Sequence, residues 1–158
     1  MDKKLNYIFW IALVLIMLFA LAGHVKAKPT QLIVDDRNPY EQPILIRATV
    51  YTSEEGAQTA SGQKVRPGII AGKPEWEGCV AMLYTYRIEG GQAYPQELIG
   101  IYEVLDTGAG IDTDGDNKGD SIQNGTSIDV YQPTLHQAEE WIDVYGDYVM
   151  LMLIKAEG

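Results

Sequence analysis

Ser127-Ile128-Asp129-Val130-Tyr131-Gln132-Pro133 places one carboxylate inside a short strand-like run. Side chains alternate along an extended segment, so Ile128 and Val130 share one face and Asp129 takes the other. The flanking aliphatics predict that Asp129 is partly desolvated. Desolvation raises a carboxyl pKa, which is how an acid able to donate a proton near neutral pH is made. An edge strand with Asp129 facing water has the same pattern, so spacing alone leaves both readings open.

Outward from this run the chain is mainly β. Downstream, Thr134 with Gln137 has the form of a capping box, and Leu135, Ala138, Trp141/Ile142 and Tyr145 fall on one helical face that Gly146 ends. A last strand is expected over Tyr148–Ile154. Upstream, Ile44, Ile46, Ala48 and Val50 alternate with Leu45, Arg47, Thr49 and Tyr51. A Gly/Ser/Thr-rich loop covers 53–63, and short apolar segments lie at 68–71, 79–86 and 97–105, with Gly90-Gly91 marking a turn. Several short strands, one helix and a final strand suit a compact β-barrel.

Residues 1–27 have the three parts of a secretory signal: Asp2-Lys3-Lys4, the apolar run Tyr7 to Ala22, and Val25-Lys26-Ala27 as a cleavage pattern. The alternative is an uncleaved membrane anchor, for which sixteen apolar residues are slightly short. Either way the remainder is expected to be secreted or on a bacterial cell surface. Residues 28–43, with Pro29, Pro39 and Pro43, read as a spacer, and 44–158 as the folded domain. Membrane contact is expected only through the N-terminal segment if it stays uncleaved.

Composition excludes several classes. Twelve basic against 22 acidic residues, a net charge of −10, argue against nucleic-acid binding. A single cysteine, Cys79, rules out an internal disulfide framework and a cysteine-built zinc site. With His24 and His136 as the only histidines, catalysis has to lean on carboxylates.

Asp106 is the second such carboxylate. It ends an apolar strand and is followed by Thr107-Gly108-Ala109-Gly110, whose glycines allow a tight turn beside it. Between the two aspartates lies an acidic insert with Asp112, Asp114, Asp116 and Asp120 at positions 1, 3, 5 and 9, and the Lys118 carbonyl at position 7. That alternation is the form of a calcium loop. Asn117 stands where such loops carry Gly, and Gln123 where they carry the bidentate Glu. A structural Ca²⁺ and a solvated acidic turn closed by Asn124-Gly125 both fit, and no other cofactor is called for.

Five stretches in order resemble the 3D (three-aspartate) domain family: Ala48-Thr49-Val50-Tyr51-Thr52, Thr59-Ala60-Ser61-Gly62, Arg66-Pro67-Gly68-Ile69-Ile70-Ala71, Val104-Leu105-Asp106-Thr107-Gly108-Ala109-Gly110 and Ser127 to Pro133. The resemblance covers about Ile46 to Ile154. It implies a six-stranded double-psi β-barrel with one short helix, similar to the barrel domain of MltA-like lytic transglycosylases and to stationary-phase survival proteins. The implied activity is cleavage of peptidoglycan glycan strands between N-acetylmuramic acid and N-acetylglucosamine with formation of 1,6-anhydro ends. By the same resemblance Asp129 is the acid and then the base, and Asp106 assists it. Tyr51, Thr59, Thr107, Gly108 and Lys73 are placed along the substrate.

Lys73 is a departure, standing where the family carries its first aspartate. A non-catalytic wall-binding module is therefore the second reading. Asp106-Thr107-Gly108 also resembles a retropepsin-like aspartic protease, but that reading leaves the Asp129 motif unexplained.

Overall fold

A computed structural model describes residues 37–155, except Glu55, Ala109, Ile111, Asp112, Asp116, Asn117 and Lys118. Six strands close into one barrel: β1 (Ile44–Tyr51), β2 (Ile69–Ala71), β3 (Val80–Glu89), β4 (Gln92–Asp106), β5 (Ser127–Tyr131) and β6 (Tyr148–Ile154). Their order around the wall is β1-β5-β2-β4-β3-β6. The β1·β5 and β2·β4 pairs are parallel and the other four antiparallel. One helix, α1 (Leu135–Tyr145), links β5 to β6, and a single 3-10 turn spans Pro74–Trp76. The expected mainly β, six-stranded barrel with one short helix is the fold observed. Among the described residues no helix is long and apolar enough to cross a membrane.

The barrel interior follows from strand alternation. Ile44, Ile46 and Ala48 of β1 meet Ile70, Ala81, Leu83, Val104, Ile128, Val130, Val149, Leu151 and Leu153 inside. Each fully buried aliphatic contributes about 1.5–3 kcal/mol. Trp76 and Trp141 join the same cluster. Cys79 is buried there as a free thiol.

The helix matches its expected limits. The Thr134 hydroxyl accepts from Gln137 N–H at 3.2 Å, and Gly146, at φ 78°, donates its N–H to the Ile142 carbonyl at 2.8 Å. The Gln137 side chain does not close a full capping box. Its Oε1 instead accepts from the Thr134 hydroxyl at 3.0 Å. Thr134→Ala is expected to cost about 1 kcal/mol, read as a fall in thermal midpoint of roughly 4 °C. Leu135 is an exception to the expected buried face, being 67% exposed at the first turn.

Two strands run further than their apolar segments suggested. β3 and β4 continue as a two-stranded arm to a turn at Gly90 (φ 58°) and Gly91 (φ 83°). Consecutive positive φ values are what a tight hairpin turn requires. Along Tyr94-Pro95-Gln96-Glu97 the arm is exposed, so no apolar alternation marks it.

Within the stretch expected to be a spacer, residues 38–43 lie on the barrel. The Pro39 carbonyl accepts from Leu153 N–H at 2.9 Å. Tyr40 packs against the core with its hydroxyl 3.5 Å from Cys79 Sγ, and burial first, then Cys79, pushes that phenol up to about 12.

Candidate functional site

Asp106 and Asp129 come to the same outer wall of the barrel through one irregularity. Ile70 pairs with Val104, but the next residue, Ala71, pairs with Asp106. Leu105 is the extra residue of a β-bulge. Val104 faces inward, and simple alternation would turn Asp106 inward as well. The bulge instead puts Leu105 and Asp106 on the outer side. Ala71 is also in register with Asp129 on its other flank. The two aspartates therefore sit on either side of β2, with Cα atoms roughly 10 Å apart at ordinary strand spacing.

This wall is roofed by the loop over residues 52–68. Tyr51, Val65, Ile69, Leu105 and Tyr131 pack together beneath it, with the Tyr51 and Tyr131 rings 5.4 Å apart. Asp106 pins the roof. Its Oδ1 accepts from Ala60 N–H at 2.8 Å and from Thr107 N–H at 2.9 Å, and its Oδ2 from the Tyr51 hydroxyl at 3.0 Å. The Ser61 hydroxyl donates to the Leu105 carbonyl at 2.8 Å, and Arg66 holds Glu103 through two 2.9 Å contacts. Burial, and then the Asp106 charge, drive the Tyr51 phenol well above its ordinary value.

Asp129 has a different environment. It is half-buried, and its Oδ1 is buried with no hydrogen-bond partner. Thr49, its register neighbour on β1, gives it polar support while its hydroxyl lies 3.2 Å from the Ile128 carbonyl. Burial raises the Asp129 pKa above the usual carboxyl value, Thr49 opposes the shift, and the charge of Asp106 adds to it. A buried carboxylate oxygen without a donor favours the protonated form. The wall thus carries one aspartate bound by three donors and one that is short of them.

The remaining expected site residues separate. Thr107 lies beside Asp106 with its Oγ1 buried and unpartnered. Gly108 is closely covered, since a Cβ there would stand 3.3 Å from Ile122 Cδ1. Thr59 is buried, and its hydroxyl is spent inside the loop on Ser61 (2.8 Å) and Gln63 (3.1 Å from its N–H). Lys73 pairs with Glu75 at 3.7 Å and lies against Gly125. Its neighbour Gly72 donates its N–H to the Asp106 carbonyl at 3.0 Å, while the Lys73 ammonium is turned to Glu75. Ser53, which the sequence reading passed over, has a buried hydroxyl with no partner just after β1. Its polar loop context carried no signal for that.

Of the acidic insert, Asp112, Asp116 and Lys118 lie outside the described residues. Asp120 Oδ1 accepts from Thr113 N–H (3.0 Å) and Oγ1 (2.6 Å). Among the described residues no group of three or more His, Cys, Asp or Glu is placed to hold a metal. Asn124-Gly125 ends a compact turn, with Asn124 N–H on the Asp120 carbonyl and Gly125 N–H on that of Ile122, and does not close a hairpin. Gly110 is held against this turn at φ 76°, and a Cβ there would collide with Ser121 Oγ and stand 2.9 Å from Ile122 N. Gly110→Ala is expected to cost about 2–3 kcal/mol, measured by denaturant midpoint, because backbone and not a flexible side chain must move.

No family model and no curated protein matches the chain. Among solved structures it is similar to an apo form of an alanine variant of the E. coli lytic transglycosylase MltA, with 19% identity and a TM-score of 0.38. That similarity covers 66% of this chain and 29% of that one, so the chain spans less than a third of that protein's length.

Proposed function

We propose that this chain is an exported, peptidoglycan-active lytic transglycosylase and that Asp129 is its acid and base. The observation that carries the reading is the Asp129 carboxyl, with its buried unpartnered Oδ1 next to the donor-bound Asp106. The ordered motifs between Ile46 and Ile154 supply the substrate class. In the first step Asp129 gives its proton to the glycosidic oxygen as the bond to the muramyl C1 breaks. The resulting carboxylate takes the proton of the muramyl C6 hydroxyl, whose oxygen bonds to C1 and closes the 1,6-anhydro ring. Proton count and charge balance without water. One carboxyl suffices, unlike the paired carboxyls of a hydrolysing glycosidase. Asp106 fixes the loop beside Asp129 and favours its protonated form through like charge.

Lys73, turned to Glu75, favours the second reading, a wall-binding module that keeps the fold without turnover. Digestion of purified sacculi with the chain, followed by mass spectrometry of released fragments, separates the two. Anhydro-muropeptides are the expected product. Reducing ends would identify a hydrolase and overturn the single-carboxyl route. Retention on sacculi without release would establish the binding module.

A further inference from the structure

The wall formed by β4, β3 and β6 is apolar on its outer side. Ala81, Leu83, Leu151 and Leu153 face the interior, so Val80, Met82, Met152 and Ile154 face out. Register sets Val80 beside Ile154, Met82 beside both Met152 and Ile101, and Leu98 beside Tyr84. Ile101 is 60% exposed, Leu98 51% and Ile154 46%. The helix packs on β1 and the 52–68 loop lies over Asp106, so neither covers this face. On a chain of net charge −10, a contiguous apolar wall needs an occupant.

We propose that this face rests on the surface of a lipid bilayer. Three observations choose lipid. First, the chain outside the described domain includes the apolar run Tyr7 to Ala22, and it reaches the domain where the Pro39 carbonyl binds Leu153 N–H. That point adjoins Ile154, one end of the apolar wall. The 14 residues from Gly23 to Asp36 span up to roughly 45 Å when extended, ample to lay the wall on a membrane that holds the run.

Second, the rim has the chemistry of an interface. Lys155 follows Ile154 with its ammonium 5.1 Å from the Tyr40 ring centre, and Tyr84 borders the face beside Leu98. Lysines and tyrosines keep an apolar body in lipid and a polar tip in water. Third, Glu103, the acidic residue opposite Val80, is already paired with Arg66. The Asp129 wall lies elsewhere around the barrel, between β1 and β2, away from this face.

The test places spin labels on the full chain in phosphatidylethanolamine–phosphatidylglycerol vesicles, at Leu98→Cys and Ile101→Cys, with Glu139→Cys on the helix as reference. Cys79 is buried and stays in place. Labels at 98 and 101 are expected to be relaxed by oxygen more than by a water-soluble nickel complex, with the reverse at 139. Adding Ile101→Asp should shift the label at 98 toward the nickel response. Nickel-dominated relaxation at 98 and 101 in a chain with unchanged circular dichroism would overturn the proposal. Spin–spin broadening at those positions would also overturn it, by assigning the face to a second copy of the chain.

Discussion

Asp129→Asn is expected to abolish glycan cleavage, by at least about 10³-fold, while making the barrel more stable at neutral pH. The loss follows from the proposed mechanism, in which one carboxyl serves both proton transfers, each of which contributes about 10²–10⁴-fold. The gain follows from linkage. Burial raises the Asp129 pKa, so the folded state binds that proton more tightly than the unfolded state. Its stabilising contribution is complete below the unfolded carboxyl value and is lost as pH rises through the folded value. At pH 7 the group burdens the fold, and the amide of Asn removes the ionisation. A rise in thermal midpoint at neutral pH is the expected sign. Its dependence on pH distinguishes it from a packing effect: the advantage of the Asn variant should shrink toward pH 3. Residual cleavage within tenfold of wild type would remove Asp129 from the chemistry.

Asp106→Ala is expected to have the largest effect on folding of any change at the site. It leaves Ala60 N–H, Thr107 N–H and the Tyr51 hydroxyl without their acceptor. Hydrogen bonds to a charged group contribute about 1.5–3 kcal/mol each, and water replaces part of them in the exposed loop, so a net loss of about 3–4 kcal/mol is expected. The roof over residues 52–68 should become sensitive to protease under conditions where the barrel is intact. Asp106→Asn is the informative partner. Its Oδ1 can keep both backbone donors, and its amide can donate to the Tyr51 hydroxyl oxygen, so most stability should survive. It removes the charge that helps raise the Asp129 pKa, so the alkaline limb of the activity profile should move to lower pH. An unmoved limb in a folded Asn variant would restrict Asp106 to holding the loop.

Much of this arrangement is legible in short-range pattern. The alternation of Ile44 to Tyr51 and of Ser127 to Tyr131 marks two barrel strands and puts Asp129 on the side away from Ile128 and Val130. Thr134 and Gly146 bound the helix. What the pattern lacks is anything set by distant partners. The bulge at Leu105 shows only when β4 is laid beside β2, yet it decides that Asp106 faces the same side as Asp129. The bond from Ala60 N–H to Asp106 joins residues 46 positions apart. Lys73 reads as a site residue because of its place in a motif, but a local ion pair with Glu75 and the nearby Gly125 direct it elsewhere. The β3–β4 arm escapes notice because one of its faces is wet and the other buries only Ala93, with Tyr84 and Tyr86 half-buried against Leu45 and Met150, too little to set up an apolar period in β4.

To act as the acid Asp129 has to hold its proton above the ordinary carboxyl range, which its burial and its donor-free Oδ1 favour. Titration of the side-chain carboxyl carbons by NMR, with Asp129→Asn to identify the resonance, measures this directly. The predicted result is an Asp129 midpoint above the ordinary aspartate value of 3.8 that moves down in Asp106→Asn. A midpoint at or below 3.8, unchanged by Asp106→Asn, would show a solvated or donor-bound carboxylate and contradict the role as acid.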